Sequence, residues 1–293
     1  MELQALPELQ ACLLSPAESI AKRIRAVFHL RSHGSAEAAA ILEQGIRDPS
    51  ALLKHEICYA LGQMRLPVSV PFLICVVEDA GQETIVRHEA AEALGAIGQE
   101  AGRAVLQKHA EQGDRELRET CYLALKRLDW LSTGETVPVS EFSVAVDPAP
   151  AFAESRSVEA LAALYNDPSA DLFVRYRALF SLRDLCTPQA LEVLAQGLVK
   201  SDFSPLFKHE IAFVLGELSE RALSTASYLE AAVTDQSNHC MVRHEASEAL
   251  SEVRQTPQTA AFLRPYLQDT APVVRESCEV ALDILQYWTS SEV

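Results

Sequence analysis

The sequence predicts an all-α protein, an α-solenoid of eight helical hairpins arranged as two four-repeat lobes. Three observations support this fold. A basic residue recurs every 31 to 35 residues within each half of the chain, the second half repeats motifs of the first, and no alternating apolar–polar run is long enough to require a sheet. The chain has 293 residues, 48% of them hydrophobic, and a mean hydropathy of +0.04. These values are typical of a folded protein with a sizeable core.

The recurring basic residue marks one helix of each predicted hairpin. Its positions are Arg23, Lys54, Arg87 and Arg118 in the first half, and Arg175, Lys208, Arg243 and Arg275 in the second. Alanine- and leucine-rich stretches such as residues 36–48 and 69–80 fall between these positions, and turn signals such as Asp48-Pro49 and Asp167-Pro168 separate the helices. Each repeat is therefore predicted to be a helical hairpin of roughly thirty residues.

The two halves of the chain match each other motif by motif. LLKHEICYALGQM (52–64) recurs 154 residues later as LFKHEIAFVLGEL (206–218), and VRHEAAEAL (86–94) recurs 156 residues later as VRHEASEAL (242–250). Residues 131–155 are rich in Ser, Thr and Pro and lack helical periodicity, as linkers do. The sequence therefore predicts an N-terminal lobe over residues 1–130, a linker over 131–155 and a C-terminal lobe over 156–293.

Composition and charge exclude several classes of protein. The 25 Lys and Arg residues against 41 Asp and Glu give a net charge of −16, which disfavours a nucleic-acid surface and suits a positively charged partner. The seven cysteines include no CxxC pair, which fits a reducing compartment. No apolar run reaches the ~18 residues of a membrane span, and the N-terminal MELQALPELQACLL lacks the basic start of a signal peptide. We expect a cytoplasmic protein that binds neither membrane nor nucleic acid.

Histidine–glutamate pairs follow the basic residue in four of the eight repeats. The pairs are His55-Glu56, His88-Glu89, His209-Glu210 and His244-Glu245, in the two central repeats of each half. One explanation is a helix N-terminus, where a glutamate in the first turn complements the helix dipole. The other is a metal site, because equivalent helices of stacked repeats lie ~8–10 Å apart and project such residues into a shared space. Recurrence in one column, and absence from the flanking repeats, favours the metal site.

The residue types in this column indicate which metal it would bind. Two histidines and one carboxylate form a facial ligand set suited to ferrous iron and oxygen chemistry. No cysteine joins the column, which disfavours structural zinc and iron–sulfur clusters. Because adjacent residues point ~100° apart around a helix, we expect one member of each pair to face inward and the other to lie at the rim. Each lobe thus offers ligands for one ion and a spare carboxylate.

An array of eight HEAT-like repeats with [KR]-H-E in repeats two, three, six and seven resembles the deoxyhypusine hydroxylase family. The resemblance covers nearly the whole chain, including the sequence DPAP (147–150) of the linker. It implies a monomeric non-haem di-iron monooxygenase that uses O₂ to hydroxylate the deoxyhypusine side chain of eukaryotic translation initiation factor 5A, forming hypusine. It also implies two Fe(II) ions held between the lobes. The implied ligands are His55, His88 and Glu89 for one iron and His209, His244 and Glu245 for the other, with Glu56 and Glu210 placed to grip the substrate amines.

Two other functions are compatible with a repeat array of this kind. One is a metal-free scaffold that binds another protein, and the other is a HEAT-like bilin lyase. Neither requires His-Glu pairs in four symmetric repeats, so the hydroxylase is favoured. Spacing alone does not assign which glutamate of each pair binds iron, and it does not identify the reductant.

Overall fold

A computed structural model of the chain describes residues 5–136 and 139–290. Sixteen α-helices and six short 3₁₀ helices make up the regular structure of these residues, which contain no strand. Consecutive α-helices pack against each other in pairs and form eight hairpins. The prediction of an all-α fold built from eight helical hairpins is confirmed.

The chain divides into two compact units, Met1–Glu135 and Thr136–Val293. The first unit contains α1 (Leu6–Leu14), α2 (Ile20–His33), α3 (Ala36–Gln44), α4 (Ala51–Met64), α5 (Val70–Glu78), α6 (Thr84–Ile97), α7 (Arg103–Glu111) and α8 (Arg115–Ser132). Its 3₁₀ helices are Gly45–Arg47, Pro67–Ser69 and Glu100–Gly102.

The second unit contains α9 (Val158–Asn166), α10 (Leu172–Leu185), α11 (Pro188–Gln196), α12 (Pro205–Leu218), α13 (Ala226–Thr234), α14 (Cys240–Val253), α15 (Pro257–Leu263) and α16 (Pro272–Ser290). Its 3₁₀ helices are Gly197–Val199, Ser219–Thr225 and Arg264–Gln268. Residues 139–157 carry no helix and belong to this unit.

The recurring basic residue fastens the two helices of a hairpin together. In four hairpins its Nε donates a hydrogen bond of 2.9 to 3.3 Å to a backbone carbonyl ten residues earlier, near the end of the preceding helix. The pairs are Arg23 to Leu13, Arg87 to Val77, Arg175 to Tyr165 and Arg243 to Val233. The last carbonyls of a helix lack partners within the helix, and the guanidinium satisfies one of them. The basic column is therefore a structural feature of the repeat.

Side-chain caps mark the N-termini of α4, α12 and α14, three of the four helices that carry the His–Glu pairs. The Oγ atoms of Ser50 and Ser204 accept hydrogen bonds from backbone N–H groups three residues on, at the N-termini of α4 and α12. At the N-terminus of α14 the Nδ1 of His239 accepts from the N–H of Met241 in the same way. Because these caps set the first residue of each helix, they also set the direction in which every later side chain points.

Two further sequence expectations can be compared with the structure. All seven cysteines lie in the described residues and are free thiols, as their spacing predicts. Within residues 5–136 and 139–290, no helix combines the length and the apolar character needed to cross a lipid bilayer.

Candidate metal centre

The four His–Glu pairs occupy the same position in four helices of equal length. The helices α4, α6, α12 and α14 each have 14 residues, and in each the histidine is the fifth residue and the glutamate the sixth. The helix dipole acts mainly on the first turn, and these positions lie beyond it. N-terminal stabilisation therefore does not explain the pairs. All eight residues are buried, none of them more than 8% exposed. The expectation that one member of each pair lies at the rim is wrong.

In the first unit, the carboxylate of Glu89 lies close to two imidazoles. Its Oε2 is 3.2 Å from Nε2 of His55 on α4 and 3.9 Å from Nε2 of His88 on its own helix. The two ring centroids are 5.6 Å apart. Oε1 of Glu56 is 3.1 Å from Nδ1 of His55, on the other side of that ring. The two glutamates therefore lie against different edges of one imidazole, and both are buried.

The second unit repeats this arrangement. Oε2 of Glu245 is 3.3 Å from Nε2 of His209, and the ring centroids of His209 and His244 are 5.3 Å apart. The two rings meet at 40°, compared with 39° for the pair in the first unit. One ligand-capable atom from each of His209, His244 and Glu245 lies within 4.8 Å of the other two. Each unit therefore brings together two imidazoles and one carboxylate, with the side chain of Glu210 buried on α12 as Glu56 is on α4.

Electrostatics favour a cation in the set of the first unit. Burial opposes protonation of His55, yet the carboxylates of Glu89 and Glu56 outweigh it and raise the pKa of the imidazole well above its ordinary value. Buried cations next to the pairs are directed to other carboxylates: Nζ of Lys54 is 2.6 Å from Glu83, and Arg243 is paired with Asp269. A divalent cation can satisfy a buried carboxylate and two imidazoles at once, and this offsets the cost of burying the negative charge.

We call His88 and His244 the inner histidines, and His55 and His209 the outer histidines. Three further side chains lie next to the inner histidines, and the sequence analysis missed them. Oε1 of Glu248 is 4.0 Å and Oγ of Ser277 is 3.4 Å from Nδ1 of His244. A carboxylate oxygen of Glu92 lies within 4.8 Å of ligand-capable atoms of His88 and Glu89. The spacing His-x-x-x-Glu on one helix was an available signal for the two glutamates, because such residues share a face. Ser277 lies 33 residues from His244 in sequence, and no local pattern points to it.

Comparison with known proteins gives this geometry a context. HEAT repeats match residues 6–85 and 198–283, and the PBS lyase HEAT-like repeat matches residues 86–112 and 174–200. Deoxyhypusine hydroxylase of Danio rerio is 44% identical over 284 residues, covering 96% of this chain and 91% of that protein. The Homo sapiens enzyme is 42% identical over 286 residues, covering 98% of this chain and 93% of its own. The chain belongs to the deoxyhypusine hydroxylase family.

A solved structure of a deoxyhypusine hydroxylase supports the same assignment. The human enzyme in complex with glycerol matches with a TM-score of 0.90 and 41% sequence identity, covering 96% of each chain. Membership of the deoxyhypusine hydroxylase family makes this chain an enzyme, so a non-catalytic scaffold is no longer an alternative. The lyase-like repeat match covers two short segments and reflects the repeat architecture rather than the activity.

Proposed function

We propose that this chain is a non-haem di-iron monooxygenase that hydroxylates the deoxyhypusine side chain of eukaryotic translation initiation factor 5A to hypusine. One oxygen atom of O₂ enters a substrate C–H bond, and the other is reduced to water by two electrons from an external reductant. The observation that carries the proposal is the duplicated set of two buried imidazoles and one buried carboxylate. The names of the relatives supply the substrate.

The donor atoms of each set fit Fe(II). The ligands that we propose are His55, His88 and Glu89 for one iron and His209, His244 and Glu245 for the other. Two nitrogens and one carboxylate on one side of an ion leave coordination positions open, as in oxygen-using ferrous sites. When bound, ferrous iron supplies the activation of O₂ that oxidation of a C–H bond requires. The protein contributes a largely dry surrounding, since none of the six residues is more than 8% exposed.

We assign Glu56 and Glu210 to the substrate amines. Deoxyhypusine carries a secondary and a primary amine, both cationic at neutral pH, at the end of a long flexible side chain. A buried carboxylate binds such a cation through a charge-assisted hydrogen bond, and two of them would fix the chain relative to the oxidised carbon. Glu56 uses Oε1 for His55, and a carboxylate has a second oxygen for the amine.

The remaining parts of the proposal concern the setting of the enzyme. We propose a cytoplasmic monomer whose protein substrate is the deoxyhypusine form of the initiation factor. The seven free thiols are consistent with a reducing compartment. The net charge of −16 suits a substrate that presents positive charge and argues against nucleic acid as a partner.

The test measures iron and turnover separately. Wild-type protein loaded with ferrous iron without oxygen is expected to hold about two iron ions, one for each facial ligand set. On addition of O₂, a reductant and deoxyhypusine-bearing protein, mass spectrometry should detect the gain of one oxygen atom. His88→Ala is expected to hold about one ion fewer and to lose turnover, because it removes one of three ligands.

Two further variants separate metal binding from substrate binding. Glu56→Ala and Glu210→Ala should keep their iron when iron is saturating, yet turn over with a raised KM or not at all. Loss of iron from both variants would show that these glutamates are ligands rather than substrate contacts. The proposed function itself would be contradicted if the wild-type protein held no iron. It would also be contradicted if the His88→Ala variant transferred oxygen as well as the wild type does.

A further inference from the structure

Glutamates lie one helical turn beyond the inner histidine of each unit. Glu92 follows His88 by four residues on α6, and Glu248 follows His244 by four residues on α14. The outer histidines have aromatic residues at the same spacing, namely Tyr59 on α4 and Phe213 on α12. In both units, therefore, the glutamate at this spacing follows the inner histidine, on α6 and on α14, and not the outer histidine.

The geometry around His244 shows which ring nitrogen faces this acid. Oε1 of Glu248 is 4.0 Å from Nδ1, and Oγ of Ser277 on α16 is 3.4 Å from the same nitrogen. This leaves Nε2 as the nitrogen available to an ion beside Glu245. The His244 side chain is fully buried at 0% exposure, whereas the Glu248 side chain is 22% exposed.

The first unit places the equivalent glutamate beside the equivalent histidine. Nε2 of His88 is the nitrogen 3.9 Å from Oε2 of Glu89. The Glu92 carboxylate lies in the same cluster, within 4.8 Å of His88 and Glu89 ligand-capable atoms. The outer histidine His55 already has its Nδ1 3.1 Å from Glu56. Each of these rings therefore has a carboxylate other than the ligand close by.

We propose that Glu92 and Glu248 are positioning residues that orient the inner histidines for metal binding. A metal-binding imidazole commonly donates its second N–H to a carboxylate, which fixes the tautomer and the ring orientation and makes the ligand nitrogen more basic. In this role Glu248, whose Oε1 lies 4.0 Å from Nδ1 of His244, would close to hydrogen-bond distance of Nδ1–H when the ion binds and so hold Nε2 toward it, with Ser277 as a second acceptor. Glu92 would act on His88 in the same way. The inference rests on the proposed iron site, and it names residues outside the six proposed ligands.

The test is metal affinity in the full-length protein. Fe²⁺ and Co²⁺ are titrated without oxygen against a chelator for wild type, Glu92→Ala, Glu92→Gln, Glu248→Ala and Glu248→Gln. The alanine variants are expected to bind one of two ions about 10- to 100-fold more weakly. The glutamine variants should retain most of the affinity, because the amide oxygen still accepts from Nδ1–H. The visible spectrum of bound Co²⁺ should change in the alanine variants, since it reports ligand orientation.

Glu252 on α14 provides a matched control. It is a half-buried glutamate of the same helix, eight residues beyond His244, and partial burial raises its pKa. Glu252→Ala should leave both ion affinities and the Co²⁺ spectrum unchanged. Thermal unfolding of the metal-free variants shows whether any loss of affinity merely follows loss of stability.

The outcomes separate this inference from the proposed function. If wild type binds no Fe²⁺ or Co²⁺, the proposed iron site fails. If wild type binds both ions and Glu248→Ala and Glu92→Ala bind them equally well, only the positioning role fails. The role also fails if Glu252→Ala weakens binding as much, or if Glu248→Gln abolishes binding as completely as His244→Ala, which would make Glu248 a ligand.

Discussion

Three consecutive residues of α6 make two kinds of contact. The first joins the helices of a hairpin, and the other two form part of the candidate site. Nε of Arg87 donates to the carbonyl of Val77, 3.0 Å away near the end of α5, and so joins the two helices of the hairpin. The next two residues, His88 and Glu89, approach His55 on the neighbouring helix α4 instead. Because adjacent residues point ~100° apart on a helix, one short motif can encode both a structural contact and a ligand pair.

A second group of charged side chains holds the helix-free residues 139–155 against helices α10 and α12 of the same unit. Arg183, 1% exposed, donates to both carboxylate oxygens of Asp147 at 2.7 and 2.8 Å, and its Nη1 is 3.4 Å from Oε2 of Glu217. Ser143 donates a hydrogen bond to the other oxygen of Glu217. Burial, together with the charge of Asp147, raises the pKa of Glu217 to about 7 despite the opposing effects of Ser143 and Arg183.

The raised pKa of Glu217 predicts that the free energy of unfolding depends on pH through the ionisation of this residue. The ordinary pKa of 4.5 applies in the unfolded chain, so between pH 4.5 and about 7 the folded state binds a proton that the unfolded state has lost. The contribution of Glu217 is therefore present at low pH and is lost as the pH rises through about 7. It amounts to at most ~3 kcal/mol. Chemical denaturation should show Glu217→Gln more stable relative to wild type at pH 8 than at pH 5.

The control for this prediction is an exposed glutamate nearby. Glu220→Gln removes a carboxylate from the surface three residues later, and its stability relative to wild type should be the same at both pH values. A difference between Glu217→Gln and wild type that does not change with pH would show that Glu217 ionises normally in the folded protein.

At the scale of the helix, the distance between the paired imidazoles depends on how closely their helices pack. A Cβ atom at Gly62 of α4 would lie 2.8 Å from Cα and 2.9 Å from Cβ of Ala93 on α6. The equivalent pair in the second unit is Gly216 of α12 and Ala249 of α14, where the same distances are 3.1 and 3.2 Å. Because glycine has no side chain, α4 packs closely against α6 and α12 against α14 at these positions, two turns beyond the histidines.

We predict that Gly62→Ala weakens both the fold and the first metal set. A backbone atom blocks the new Cβ, so α4 must move away from α6, which costs about 1–3 kcal/mol against a gain in helix propensity of up to ~1 kcal/mol. The shift separates His55 from the Glu89 carboxylate and lowers metal affinity. Denaturation and Fe²⁺ titration measure the two effects. Gly216→Ala, with more room, should be affected less, and an equal or larger effect there would contradict the packing argument.

Sequence periodicity predicted the hairpins and the column of pairs, but not which acid meets which imidazole. Oε2 of Glu89 lies nearer to His55 on the adjacent helix, at 3.2 Å, than to its own neighbour His88, at 3.9 Å. Helical geometry within α6 cannot reveal this, because it depends on how two helices pack and which rotamers that packing allows. Ser277 was unpredictable for the same reason, since it reaches His244 from the next hairpin.

For the whole molecule, internal duplication explains why two similar sets of buried histidines and glutamates exist. The motif of α4 recurs in α12 after 154 residues and that of α6 in α14 after 156, so each compact unit carries its own histidines and glutamates. The family resemblance was visible in the sequence because this duplication repeats [KR]-H-E four times. The acidity is also a property of the whole chain, with 41 Asp and Glu against 25 Lys and Arg.

This net charge predicts that salt acts on substrate capture rather than on chemistry. With a charge of −16, we expect the enzyme to attract the proposed substrate, a protein segment bearing cationic deoxyhypusine, and salt to screen that attraction between exposed charges. Raising ionic strength from about 50 to 500 mM should increase KM on the order of tenfold, while kcat stays nearly constant because the buried site is screened much less. Steady-state kinetics at several NaCl concentrations measure both constants, and sucrose at matched osmolality controls for non-ionic effects. A KM independent of salt, or a kcat that falls in parallel with kcat/KM, would mean that the acidic surface serves solubility and that substrate recognition depends on short-range contacts alone.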